Sequence, residues 1–367
     1  MSTEPYIVTL KCGTVVTVLF GEATAQQQLR CDKLAASAWG SYLDEDEVVA
    51  REAHLRSQNL AGDGGGRTWC LYRKDDQKQI LSTCKTIRRE FLLRNAEGPH
   101  EVSGHCITSV ITAQKHRGLG LASYMLGHVA EWLDGPGNAS VSMLYSGMPH
   151  FYEALGWTAL PNQEIILAIS TWIQDTLRSD AGVEVRSLAD ADIEDLCTEY
   201  YQHPTRTGAD MEQEILHVVP TTDTVRYQHA LSDYMGNLWH YEVPKFRGAA
   251  YKRAWLCWYH DFRGRCLRIQ HIHNPIGYAD GKEEAMMALF LHAIHEANEW
   301  NFTTVSTWDM GANVRTTLEA LAQIGAFTKS VREIHQSQSI SLRWREGNKR
   351  FDNMLMDNES YVWNLRY

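Results

Sequence analysis

Residues 110–122 constrain this chain more than any other stretch. Val110-Ile111-Thr112 closes a run, Gly104 to Thr112, that is rich in the β-branched and apolar residues strands favour. Arg117-Gly118-Leu119-Gly120-Leu121-Ala122 turns the chain, and Leu121/Ala122, Met125/Leu126, Val129 and Trp132/Leu133 then recur at the helical period. The pattern predicts a buried strand, a tight basic glycine-rich turn and an amphipathic helix. Gly118 and Gly120 let the backbone approach a ligand closely, and the first turn of the helix aims unpaired N–H groups outward. A helix start of this kind is an anion site, and two glycines beside an arginine suit a pyrophosphate.

That turn resembles the acetyl-CoA loop of the GNAT N-acetyltransferase superfamily, whose pattern is Gln/Arg-x-x-Gly-x-Gly/Ala; Arg117, Gly120 and Ala122 match it. Two further matches follow at the right distance. Val141 to Ser146 is the next predicted strand, and Phe151-Tyr152-Glu153-Ala154-Leu155-Gly156-Trp157 has the form Phe-Tyr-x-x-x-Gly-aromatic, which in that superfamily is the short helix under the CoA thiol. A dinucleotide site is excluded, because no acidic residue closes the following strand to hold a ribose and no β-α-β repeat precedes the turn.

At 367 residues the chain is long enough for two domains with cores of their own. Its 44% apolar and 22% charged composition is that of a soluble globular protein, and no window approaches the ~18 consecutive apolar residues of a membrane span. No basic-then-apolar signal opens the chain. Eight cysteines without a CxxC pair indicate neither a disulfide scaffold nor a zinc site, and reduced thiols point to the cytoplasm. A formal charge of −10 argues against nucleic acid as a partner and is compatible with a cationic amine being drawn in, although acidity also serves solubility alone.

The expected fold class is α/β, with tandem GNAT-like domains: residues 1–175 carry the acetyl-CoA site, and residues 183–367 form a degenerate second unit. In the first, Thr14 to Leu19 reads as a strand, Ala25 to Trp39 and Asp44 to Leu60 as helices, and Gly62 to Gly66 as a loop. Thr68 to Arg73 and Gln79 to Ile87 read as paired strands, and Ile165 to Trp172 as the last strand or its continuation. In the second, Val183 to Arg186 and a capped helix from Asp190 resemble a new GNAT start. A hairpin around Asp261 to Gly264, a helix from Glu283 to Trp300, a strand from Thr303 to Trp308 and a helix from Val314 to Ile324 echo the first unit. No Arg-Gly-x-Gly precedes the Glu283 helix, so this half is expected to wall a substrate pocket without a CoA loop of its own.

Several stretches resemble a narrower group, the fungal lysine N6-acetyltransferases: Arg51 to Leu55, Trp69 to Leu71 leading to Ile80 to Ser82, Val110 to Leu126, Leu144 to Trp157, and Trp363-Asn364. The resemblance implies an acetyl-CoA-dependent transferase acting on a small-molecule amine, with L-lysine N6 first. Another small amine, a protein lysine, or a CoA-binding regulator without turnover are the alternatives. Backbone N–H groups of Val110, Ile111 and Thr112 are then expected to hold the thioester arm, and those of Arg117, Gly118, Leu119, Gly120, Leu121, Ala122 and Ser123 the pyrophosphate. Tyr152 is the family's general acid for the departing thiolate, its bland alternative being an aromatic packed beside Phe151. His105, His150 and the terminal carboxylate of Tyr367 are candidate bases. His271 and His273 share a strand face but lack a third ligand at metal spacing, so no metal is expected. The acids Asp44 to Glu47 read foremost as a helix start, and Trp308-Asp309 as a further acceptor-site candidate.

Overall fold

The computed structural model describes residues 5–39, 42–95, 97–160, 163–169, 185–202, 214–274, 282–308, 312–323, 327–333, 339–345 and 354–356. The first unit runs β1 (Tyr6–Thr9), β2 (Val15–Glu22), α1 (Ala25–Trp39), α2 (Glu45–Arg56), β3 (Gly66–Arg73), β4 (Ile80–Asn95), β5 (Gly98–Thr112), α3 (Leu121–Asp134), β6 (Val141–Ser146), α4 (Pro149–Glu153), β7 (Thr158–Leu160) and β8 (Gln163–Ile169). The second runs β9 (Arg186–Leu188), α5 (Ile193–Gln202), β10 (Glu214–Val218), α6 (Thr222–Leu238), β11 (Gly248–Tyr251), β12 (Ala254–Asp261), β13 (Cys266–His273), α7 (Lys282–Glu299), β14 (Thr304–Trp308), α8 (Ala312–Gln323), β15 (Phe327–Glu333), β16 (Ser339–Trp344) and β17 (Met354–Met356). From strand, helix, helix and three-strand meander to helix, strand and helix, the two orders repeat each other apart from the insertion of β10. The fold is α/β with tandem GNAT-like units.

Local chemistry accounts for the elements around the site. The acids at the start of α2 form a capping box: the Glu47 N–H donates to Asp44 Oδ1 and the Asp44 N–H to Glu47 Oε2, each at 2.8 Å. α3 buries Leu121, Met125, Leu126, Val129, Trp132 and Leu133 along one side. They pack on Val18, Phe20, Trp69, Leu71 and Ile107, so this helix lies across the face of the meander. Gly104 permits the neighbouring strand to close in, since a Cβ there would stand 2.5 Å from both the Phe91 ring and the Val141 carbonyl oxygen.

The first sheet has the order β1-β2-β3-β4-β5-β6-β16-β7, with β10 beside the far half of β4 and β17 beside β10. The second has the order β15-β8-β14-β13-β12-β11-β9. The strand expected to end the first unit therefore lies elsewhere: β8 runs antiparallel to both β14 and β15 in the second sheet. Its vacated place is taken by β16, which pairs antiparallel with β6 from Ser339↔Ser146 to Trp344↔Val141. All six residues of β6 are buried, so this strand needs a ladder partner on both sides, and the second half of the chain provides one. A single apolar cluster joins Phe91, Leu93 and Met143 of the first sheet to Trp258, Leu267 and Phe290 of the second unit.

Because the first sheet takes β10, β16 and β17 from the second half of the chain and the second sheet takes β8 from the first, neither half is complete by itself. A fragment ending at residue 175 is expected to give no cooperative melting transition alone, and to fold when co-expressed with residues 183–367. Cooperative unfolding of the isolated fragment would contradict the exchange.

Candidate functional site

Parallel pairing of β5 with β6 runs from Gly104↔Val141 to Ile107↔Leu144 and stops there. Beyond it the two strands part. On its other side β5 keeps pairing with β4, but the register shifts between Thr83↔Ile111 and Lys85↔Thr108, leaving Ser109 and Val110 opposite Cys84 alone. Ser109 has φ +53°, the left-handed conformation of a bulge residue, in a side chain that is not glycine. The bulge turns backbone away from the ladder at the point where the strands separate.

The glycine turn sits just past this opening. A short 3-10 turn, Gln114–His116, leads to Arg117, whose Nε donates to the Thr112 carbonyl at 3.2 Å. That bond ties the loop to the end of β5. Gly118 and Gly120 have φ of +82° and +73°, which side chains rarely adopt. Among the described residues, no atom stands within 4 Å of a Cβ placed at Gly118, and the Tyr6 hydroxyl stands 3.9 Å from one at Gly120. The glycines are thus required by the turn, and they leave its outer side open. Leu121, Ala122 and Ser123 form the first turn of α3, where N–H groups have no acceptor within the helix. Residues 117–123 fit a phosphate-bearing ligand on this ground.

Between the parted strands lies a cavity of about 300 Å³. Thr108, Ser109 and Val110 of β5, Tyr145 and Ser146 at the end of β6 and Tyr152 of α4 line it. Ala35 of α1, Arg51, Glu52 and Leu55 of α2, and Lys85 and Ile87 of β4 line it as well. Tyr227 and Leu231 of α6 close it, so the second unit walls the cavity as the sequence led us to expect. Tyr152 is 8% exposed and packs edge-on against Phe151 with ring centroids 5.0 Å apart. Its packing and its place on the cavity wall coexist. The Gly156-Trp157 corner holds α4 in position: Gly156 has φ +95°, the Trp157 N–H donates to the Tyr152 carbonyl at 3.0 Å, and Trp157 Nε1 donates to Ser142 Oγ at 3.1 Å.

A buried charge network forms the cavity floor. Glu52 bonds Lys85 Nζ and, at 2.7 Å, Arg51; Lys85 also lies 3.5 Å from Asp32, which pairs with Arg56 at 2.7 Å. Burial works to raise the Glu52 pKa, but Lys85 and Arg51 overcome it and hold the carboxyl at about 2. Glu52 is therefore an anion throughout the neutral range. Burial also raises the pKa of the Tyr227 hydroxyl, with the Glu52 charge adding to it.

Neither of the two candidate histidines lines the cavity. His105 is 6% exposed, lies edge-on to Trp132 with ring centroids 5.4 Å apart, and is absent from the cavity wall. Burial, reinforced by Arg67, Arg88 and Arg89, lowers its pKa to about 4. The His150 side chain is 95% exposed and pairs with Glu153 at 3.1 Å on the outer side of α4. Tyr367 and Asp309 lie outside the described residues, as do Tyr361 and Trp363. Trp308 is fully buried, with its ring 6.4 Å from that of Tyr145 on the cavity wall. His271 and His273 are buried in β13, and His273 rests against Tyr200 and Trp255.

Sequence reading missed the floor and the far wall. In the sequence Arg51 and Glu52 carry no signal of a role, and Lys85 is marked only as part of a strand. Helix α6 went unread, although Thr221 as cap and Val225, Gln228, Leu231 and Met235 at helical spacing mark it.

Comparison with known proteins agrees with the geometry. Residues 32–160 match the acetyltransferase (GNAT) domain, and residues 171–364 match the LYC1 GNAT-like C-terminal domain. No curated protein matches the sequence. Among solved structures, a GCN5-related N-acetyltransferase from Kribbella flavida is 16% identical, covering 89% of this chain and 71% of its own, at a TM-score of 0.52. A probable N-acyltransferase from Enterococcus faecalis is 12% identical over 90% and 73%, at 0.57. A GCN5-related N-acetyltransferase from Anabaena variabilis is 12% identical over 89% and 73%, at 0.52. At these identities the likeness is one of fold.

Two titrations follow from the buried groups. Glu52, ionised at lower pH in the folded than in the unfolded chain, contributes stability that is present above 4.5 and lost as pH falls towards about 2. Glu52→Gln is expected to cost roughly 3–5 kcal/mol at neutral pH, by leaving Lys85 and Arg51 uncompensated, and to flatten this acid limb in urea titrations. His105, kept neutral by burial, destabilises the fold as pH falls from 6.5 to about 4, because the unfolded chain takes up the proton first. His105→Gln is expected to reduce the slope of stability against pH in that interval.

Proposed function

We propose that this chain, which belongs to the LYC1-like GNAT family of acyltransferases, transfers the acetyl group of acetyl-CoA to a small free amine, with the N6 amine of L-lysine as the first candidate. The observation that carries this reading is the meeting of three features at one place: the parting of β5 from β6, the open glycine turn at the start of α3, and the cavity that Tyr152 lines. A cavity of about 300 Å³, closed on its far side by α6, is of small-molecule size and favours a free amine over a peptide. Lysine as acceptor rests further on the resemblance of the stretches quoted above to fungal lysine N6-acetyltransferases.

Bound acetyl-CoA supplies the thioester to be attacked and a thiolate that must be protonated. The residues of the chain do the rest. N–H groups from Gly118 to Ser123 bind the pyrophosphate, and Arg117 braces their loop on Thr112. Backbone N–H groups near Val110, at the bulge, would stabilise the oxygen on which negative charge develops. Tyr152 gives its hydroxyl proton to the departing sulfur as the neutral amine bonds to the carbonyl carbon and the carbon–sulfur bond breaks; the proton shed by the new amide nitrogen passes to solvent, from which the tyrosinate is reprotonated. A protonated amine with a solution pKa of ~10 must first lose its proton.

Thiol release from acetyl-CoA, measured with lysine, ornithine, polyamines, aminoglycosides and a histone-tail peptide, tests the reading. Saturable release with lysine and an N6-acetyl product by mass spectrometry are expected. Release with another amine alone would move the substrate, and silence across the panel with acetyl-CoA bound would contradict turnover. Tyr152→Phe is expected to lower kcat by roughly 10²-fold or more while the Kd for CoA, by calorimetry, stays unchanged. An unchanged rate would remove the acid role.

A further inference from the structure

The acceptor wall is gripped by the second unit at a point well away from the chemistry. Leu43, 8% exposed, packs with Leu55, Ile87, Tyr227 and Leu231, four residues that line the cavity. It lies in the connection between α1 and α2, one residue before the capping Asp44. Its neighbour Tyr42 is 56% exposed, yet the guanidinium carbon of Arg263 stands 3.1 Å from the centre of its ring. Arg263 comes from the tip of the β12–β13 hairpin in the other unit. That tip is braced: Asp261 accepts from the Gly264 N–H and from Arg268 Nε, each at 2.8 Å. Strand β12 also anchors α6, whose His229 Nε2 lies 3.1 Å from the Trp258 carbonyl and whose Ser232 Oγ donates to the His260 carbonyl at 2.8 Å. One hairpin thus fixes Leu43 from two directions, through α6 behind it and through Arg263 over Tyr42.

We propose that Arg263, stacked on Tyr42, is a positioning residue for the acceptor: it holds the α1–α2 connection against α6 and so sets the shape of the acceptor side of the cavity. This rests on the transferase reading above. A planar guanidinium suits stacking on an aromatic face where an ammonium does not. Leu43 packs behind cavity-lining residues of α2, β4 and α6, whereas the glycine turn is carried by β5 and α3. The stack therefore acts on acceptor binding and leaves acetyl-CoA binding alone.

The test uses the full chain with Arg263→Ala, Arg263→Lys, Tyr42→Ala, Tyr42→Phe and the Arg263→Ala/Tyr42→Ala double variant. With L-lysine as acceptor, Arg263→Ala and Tyr42→Ala are each expected to raise its KM by about two- to fivefold, the scale of an exposed cation–aromatic contact. The expected kcat and acetyl-CoA KM are those of the unaltered chain. Tyr42→Phe keeps the ring and is expected to behave as the unaltered protein, Arg263→Lys is expected to fall between, and the double variant to be no worse than either single. A lysine KM that does not move, equal rises in both KM values, or additive effects in the double variant would overturn the proposal. Absence of turnover in the unaltered chain would instead be a failure of the transferase reading. The same variants are then read by hydrogen exchange of amides 42–48, expected to quicken about two- to fivefold in both alanine variants and not in Tyr42→Phe. Equal exchange throughout would overturn the stack's role.

Discussion

The parting of two parallel strands is the constraint on which this structure depends. β5 and β6 share a ladder through Ile107↔Leu144 and then diverge, and β5 bulges at Ser109 and Val110 just beyond the last shared pair. Everything chemical is arranged around that gap. α3 begins at its outer end with a turn whose positive φ values favour glycine, α4 flanks it with Tyr152, and α2 and β4 line it with paired charges. A strand pair continuing in register would have neither cavity nor exposed N–H groups. The cost of the opening is met by neighbours: β4 holds the other side of β5 along nearly its whole length, and β16 secures β6.

The second unit repeats this plan. β13 and β14 pair in parallel only through Arg268↔Ser306, and Gln270, two residues on, is left between Cys257↔His271 and Trp258↔Ile269 without a partner across the ladder. Its strand therefore bulges where β5 does. What the repeat lacks in sequence is Arg-Gly-x-Gly ahead of α7. Its contribution lies in shape: it lends β16 to the first sheet, takes β8 in return, and places α6 against α2. With a shared core and exchanged strands, the wall of the cavity is built from both units.

Much of the site was legible in the chain because its signals are local. Arg117, Gly118 and Gly120 specify a turn within four residues, Gly156-Trp157 specifies the corner after α4, and Asp44 with Glu47 specifies a helix start. The bulge was hidden, since Ser109 adopts a conformation that its side chain does not announce. The floor was hidden for another reason: Arg51, Glu52 and Lys85 lie on different elements, and only the fold shows that their charges meet. The destination of Gln163–Ile169 was illegible in kind. Its apolar pattern marks a strand but does not say which sheet it joins, and β16 competes for the same edge. His105 reads as a candidate base on its strand, yet the side chain faces Trp132 beneath α3, where burial keeps it neutral.

The most direct measurement is a crystal structure of the full chain with CoA and L-lysine bound together. The account predicts the pyrophosphate on the N–H groups of residues 118–123, the thiol beside Tyr152, and the lysine side chain reaching it from the cavity between Lys85 and Tyr227. CoA seated at the second splay between β13 and β14, or an acceptor bound outside that cavity, would contradict it.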